Sequence, residues 1–135
     1  MRWREVVMDA VFDALGVREA VREFALSLPE AREEFPWGGS VAKVNKKVFV
    51  FLGADDGDRP PGFTVKLMDE DVHADALAAP GAEPARYGLG KSGWVTVPLR
   101  EGTPAVEVLC DWIEDSYRAV APKRLTARLD ESRPE

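Results

Sequence analysis

The stretch Val41-Ala42-Lys43-Val44-Asn45-Lys46-Lys47-Val48-Phe49-Val50-Phe51-Leu52 decides the fold class. Two runs rich in β-branched and aromatic residues flank Asn45-Lys46, which reads as the turn of a β-hairpin. Strands are expected at 41–45 and 47–52. The run Val48 to Leu52 is apolar on both faces of a strand, so it is expected to be central, with a neighbour on each side.

Downstream, Gly53 to Gly62 holds three Asp, three Gly and two Pro and reads as a loop. Phe63, Val65 and Leu67 alternate with Thr64 and Lys66, a strand with one buried face. Asp69 to Ala79 reads as a short helix that opens on acids, as the positive end of a helix dipole favours. Trp94 to Leu99 is another alternating strand, ending at Pro98. Thr103-Pro104 is expected to cap and start a last long helix with a stripe of Val106, Leu109, Ile113, Tyr117 and Val120. Pro122 ends it, and a basic tail adds a turn. Upstream, Trp3, Val6, Val7, Val11 and Leu15 recur at helical spacing, and Gly16 is expected to end that helix. A second helix is expected from Arg18 to Leu28, stopped by Pro29. Pro36-Trp37-Gly38-Gly39 reads as a turn. The order predicts an α+β fold, an antiparallel sheet with helices packed on one face. The expected organisation is a helical extension at 1–17, one domain at 18–128 and a polar tail at 129–135.

Composition excludes several classes. One Cys cannot close an intramolecular disulfide, and one Cys with one His cannot build a Cys/His zinc site. The longest apolar run is far short of the roughly 20 residues of a membrane helix. The acids Glu5, Asp9 and Asp13 speak against a targeting segment, so a cytoplasmic address is expected. The net charge of −6 argues against a uniformly basic coat for nucleic acid. That total hides segregation: residues 35–52 and 118–128 carry bases and no acids, whereas residues 69–82 and 102–117 carry acids and no bases.

No enzyme signature is evident, and none is expected. His73 lies among Asp71 and Asp75 on an exposed-looking helix, and Cys110 reads as a small core residue. Gly88-Leu89-Gly90-Lys91-Ser92 lacks the upstream glycine of a phosphate-binding loop and precedes a strand rather than a helix. No cofactor and no metal are expected. The remaining chemistry is basic and aromatic. Thr64 and Lys66 point away from the core, as do Trp94 and Thr96, and they share an open face if their strands share a sheet. Lys46 and Lys47 occupy the hairpin tip, with Lys43 beside them; Arg86, Tyr87 and Lys91 precede Trp94. Rings among cations suit nucleic acid, stacking on bases while Lys and Arg neutralise phosphate. Trp37 and Trp94 also fit half-buried packing, and Arg86 or Lys91 also fits a structural cation–π pair.

The motifs Leu28-Pro29-Glu30-Ala31, Phe35-Pro36-Trp37-Gly38, Lys43 to Phe49, Val65-Lys66-Leu67, Tyr87-Gly88, Trp94-Val95 and Ser116-Tyr117 together resemble the MmcQ/YjbR family over residues 18 to 125. The resemblance implies an α+β fold similar to the frataxin/CyaY fold, described as a double wing, and a DNA-binding-like label. It points to Trp37, Lys43, Lys47, Lys66, Tyr87, Trp94 and Tyr117. Iron chemistry does not carry over, because Asp9, Asp13, Glu19 and Glu23 are interleaved with Arg18 and Arg22. Met1 to Val17 extends beyond the family's usual start. The expected function is non-enzymatic, weak, salt-sensitive DNA binding by a monomer away from membranes. The alternative is a module for a small anionic ligand or a protein, using a pocket between Trp37, Tyr87 and Trp94.

Overall fold

The computed structural model describes residues 13–36, 39–53, 61–86 and 88–132. The expected helix over Trp3 to Val11, the interior of the 53–62 loop, Trp37 and Tyr87 lie outside these residues. Helix α1 (Ala14–Ser27) precedes strands β1 (Arg32–Glu34), β2 (Ser40–Val44), β3 (Lys47–Gly53) and β4 (Gly62–Lys66). Helix α2 (Glu70–Leu77), β5 (Glu83–Pro84), a 3-10 turn (Leu89–Ser92) and β6 (Trp94–Pro98) follow, then helices α3 (Val106–Val120) and α4 (Lys123–Glu131). The strands form one antiparallel sheet in the order β1-β2-β3-β4-β6-β5. Helices α1 and α3 pack on each other and on one face of its central strands, and α2 packs against β6. The expected α+β architecture holds. The very short strands β1 and β5 carry no apolar alternation, which is why the sequence pattern misses them.

The hairpin forms as expected. Asn45 and Lys46 have φ of 50° and 69°, the two left-handed residues of a tight turn whose twist matches the strands it joins. Strand β3 is central, but its two-sided apolarity has a different cause. The register skips one β3 residue at Leu52 and another at Phe49, so the strand is bulged twice. Phe49, Val50 and Leu52 are all fully buried in the main core, leaving Val48 and Phe51 half-buried. A bulge takes a backbone group out of the ladder, and each is satisfied from a helix. Arg18 of α1 donates from Nε to the Leu52 carbonyl and from Nη2 to Gly53, both at 3.0 Å. Ser116 of α3 donates to the Phe49 carbonyl and accepts the Lys66 amide at 2.8 Å.

Three local expectations are corrected. Gly16 does not end a helix; it lies in the first turn of α1, where its amide donates to Asp13 Oδ1 at 2.9 Å. A Cβ at Gly16 would stand 2.1 Å from Asp13 Oδ2, so glycine is what lets the cap close. Thr103 does not cap the last long helix, which starts at Val106. Its hydroxyl accepts from the Arg100 amide and donates to the Pro98 carbonyl, tying off the end of β6. The basic tail is a nine-residue helix that buries Leu125 and Leu129.

Strand β1 is held by charge. Glu33 faces the helices, 14% exposed, and accepts from Arg22 at 2.8 and 2.6 Å and from the Ser40 hydroxyl. The Arg22 hydrogen bonds hold its carboxyl below the ordinary value near 4.5 although burial pushes the other way. Its contribution to stability is therefore complete above that pH and is lost as pH falls through the folded pKa. Glu33→Gln is expected to cost about 2 kcal/mol at neutral pH and to flatten the acid side of the stability–pH curve. Urea midpoints across the acid range check both.

Candidate nucleic-acid interface

The face of the sheet away from the helices is built by alternation. Because Val50, Val65 and Val95 lie in register and point into the core, Phe51, Thr64 and Thr96 point out, as do Lys66 and Trp94. Lys66 and Trp94 are direct cross-strand partners, so the expected pairing of these two on one open face is present. Trp94 is nevertheless only 8% exposed. Its ring meets Phe51 edge-on, with centroids 5.3 Å apart. Phe51 is the partner that pattern reading missed; its place opposite Thr64 follows only from the strand register. The Thr64 and Thr96 hydroxyls bond to each other at 2.9 Å.

The antiparallel topology brings several cations to one end of this sheet. The β2–β3 turn carries Lys46 and Lys47, β4 ends at Lys66, and β6 starts at Trp94 on that same end. The Ala85 amide bonds to the Trp94 carbonyl, which places Arg86 and then the 3-10 turn with Lys91 there too. Among the described residues Lys46, Lys47, Lys66, Arg86 and Lys91 form no ion pair. All are exposed except Lys66, which is half-buried.

Several other cations are paired with carboxylates. Lys43 lies 3.2 Å from Glu34, which it shares with Arg32, and these two contacts hold the Glu34 carboxyl below its ordinary range, the Lys43 bond first. In the basic stretch 118–128, Arg118 pairs with Glu114 and Asp130, and Arg124 and Arg128 pair with Glu30. Trp37 and Tyr87, both candidates by sequence, lie outside the described residues, so the pocket expected between them and Trp94 does too. Tyr117, carried over by the family resemblance, is a core residue whose hydroxyl donates to the Pro29 carbonyl at 2.7 Å.

The remaining sequence features resolve as structure. In Gly88–Gly93 the amides of Leu89, Gly90, Lys91 and Gly93 all bond to nearby carbonyls, so they are not turned toward an anion as in a phosphate-binding loop. His73 is half-buried rather than exposed, with Nδ1 3.1 Å from the Leu67 carbonyl. Cys110 packs against the core, and burial, then Asp111 and Glu107, push its thiol pKa up, away from the reactive thiolate. No helix of the described residues is long and apolar enough to cross a membrane.

On the helix side, α2 and α3 border a groove of about 540 Å³ lined by Val72, Asp75, Val108, Asp111, Trp112, Glu114 and Asp115. Burial, then Glu114, Asp111 and Asp69, raise the Asp115 pKa, so its ionisation opposes folding as pH rises above the ordinary value of 3.8. The two acid-rich segments of the sequence thus meet in one helical layer.

The family model described as YjbR matches residues 26–119, more than half of the chain. The chain belongs to the YjbR family. The YjbR match takes in the hairpin, Lys66, Arg86 and Lys91, so the cationic end lies inside the family domain, and α4 lies beyond it. Among solved structures the chain is similar to the Deinococcus radiodurans protein DR2400, which carries the DUF419 domain. The TM-score is 0.63 at 26% identity, covering 82% of this chain and 85% of that one. No curated protein matches the chain.

Proposed function

We propose that this YjbR-family protein binds DNA weakly and without catalysis, through the cationic end of its sheet. The observation that carries the reading is the gathering there of Lys46, Lys47, Lys66, Arg86 and Lys91, which form no ion pair among the described residues. A cation already paired with an acid releases no DNA counterion at net gain, whereas an unpaired one does. The acidic α2–α3 groove supports the same reading, since it repels a polyanion and so favours one orientation of approach.

Affinity is expected to fall steeply with salt. Lys47→Glu and Lys66→Glu are each expected to weaken binding about tenfold and to reduce the slope of log K against log salt by about one or more. Both side chains lie outside the core, so stability should stay within about 0.5 kcal/mol of the parent. Fluorescence anisotropy with a labelled duplex, together with thermal melts, makes the comparison. Unchanged affinity in both variants, or binding indifferent to salt, would sink the proposal.

A further inference from the structure

The groove between α2 and α3 combines apolar side chains with carboxylates. Two helical stripes line it: Val72 and Asp75 of α2, and Val108, Asp111, Trp112 and Asp115 of α3, at spacings of three and four. Trp112 is 5% exposed, whereas Val108 is 38% exposed, one of four large apolar residues so open among the described residues. Asp75, Asp111 and Asp115 are exposed and form no ion pair among the described residues. No Lys, Arg or His lines the groove. Arg118, the cation that acts on Asp115, is itself paired with Glu114 and Asp130. Nor do the carboxylates converge on a point: among the described residues no three His, Cys, Asp or Glu side chains are placed to hold one metal ion. Negative charge spread along an apolar groove is matched by an occupant that carries cations at a distance from one another.

The chain itself carries such an occupant. Asn45, Lys46 and Lys47 at the β2–β3 turn are all exposed, and neither lysine forms an ion pair among the described residues. A tight turn holds its strands about 4.8 Å apart, so the tip is narrow against a groove of about 540 Å³. We propose that the β2–β3 tip of one copy seats in the α2–α3 groove of a second copy, with Lys46 and Lys47 against Asp75, Asp111 and Asp115. Tip and groove are different patches, so the contact is head-to-tail. Each added copy leaves one tip and one groove free, and the product is a chain or a ring rather than a two-fold dimer. The net charge of −6 sets whole copies against each other. At about 0.15 M salt the screening length is about 8 Å, which spares charges in contact and removes most of the repulsion between centres. The association is accordingly weak. It competes with DNA for Lys46 and Lys47 but does not require that DNA bind.

Sedimentation velocity of the full chain, without DNA and at about 0.15 M salt, is the test. The weight-average mass is expected to rise at least about 1.5-fold between about 10 μM and 1 mM protein, the range of weak contacts. The rise should vanish at about 1 M salt, where the screening length is about 3 Å. The double variants Lys46→Glu/Lys47→Glu and Asp75→Lys/Asp111→Lys should each stay monomeric. An equimolar mixture of the two should associate again, the reversed tip entering the reversed groove. Two reversals move the net charge of −6 by four either way, so both variants stay negative and general attraction does not explain the recovery. A constant monomer mass in the parent, association that survives either double variant, or a mixture that stays monomeric overturns the proposal. Failure of the protein to bind DNA removes the reading above and leaves this contact standing.

Discussion

Phe49→Ala is expected to destabilise the protein by about 3–5 kcal/mol, the largest effect of a single side-chain truncation on this sheet. Phe49 is fully buried, and its ring meets Tyr117 of α3 edge-on, with centroids 5.2 Å apart at 87°. Such a contact adds about 0.5–1.5 kcal/mol beyond the buried area. The bulge at Phe49 is the reason for the exposure of so much ring to the helices. An unbulged strand would send Phe49 and Val50 to opposite faces, whereas here both lie in the core. Truncation therefore empties a site that the bulge exists to fill, and neighbours fixed by the sheet on one side and α3 on the other have little room to close it. Phe49→Leu refills most of the volume and should lose about 1–2 kcal/mol, chiefly the ring contact. Urea midpoints at constant m-value measure both. A Phe49→Ala cost near that of Phe49→Leu would mean that the Tyr117 contact and the cavity carry little.

The same bulges mark where the sequence stops being legible. Hairpin, turn and the alternating strands around Val65 and Val95 are local consequences of period and turn chemistry, and they appear where the residues place them. Apolarity on both faces of β3 predicts a central strand, which it is, but cannot distinguish a strand covered on both sides from one whose bulges rotate successive residues to one side. That choice is made by Arg18 and Ser116, distant in sequence from the carbonyls they satisfy. Asp13 competes with Gly16 for the helix boundary, and only the cap geometry shows that the two cooperate.

The candidate site divides likewise. Alternation alone places Lys66 and Trp94 on one face. Whether a cation there is available depends on which acid lies opposite, and Glu34 reaches Lys43 through pairing of β1 with β2, a three-residue strand without a sequence signature. Of the expected aromatic platform, Trp94 is covered for the same reason, while Trp37 and Tyr87 lie outside the described residues. A Trp on an outward position is a stacking surface only if no neighbouring ring covers it, and Phe51, two strands away on β3, does. Net charge is the extreme case: the chain total is −6, yet antiparallel pairing brings cations from four separate segments to one end and leaves the carboxylates of 69–82 and 102–117 in the helices.

Ser116→Ala is expected to cost about 3 kcal/mol, out of proportion to the loss of one small side chain. The hydroxyl is fully buried and serves two backbone groups, the Phe49 carbonyl and the Lys66 amide, on facing strands. The β3–β4 ladder pairs Val50 with Val65 and Phe51 with Thr64; beyond Val50 it does not continue, and Ser116 takes its place. Alanine leaves a donor and an acceptor without partners in the interior, each at about 1–3 kcal/mol unless the strands close on each other. Ser116→Cys, a weaker donor and acceptor, should fall between alanine and the parent. The role has a local signature that a general packing defect lacks. Hydrogen exchange at the Lys66 amide should accelerate in Ser116→Ala more than at Val65, whose place in the ladder does not involve Ser116. Because Lys66 belongs to the proposed cationic end, the same substitution should weaken DNA binding modestly at a temperature where the protein remains folded. A protected Lys66 amide in Ser116→Ala would show that the strands re-pair without the hydroxyl, and the stability loss should then shrink to about 1 kcal/mol.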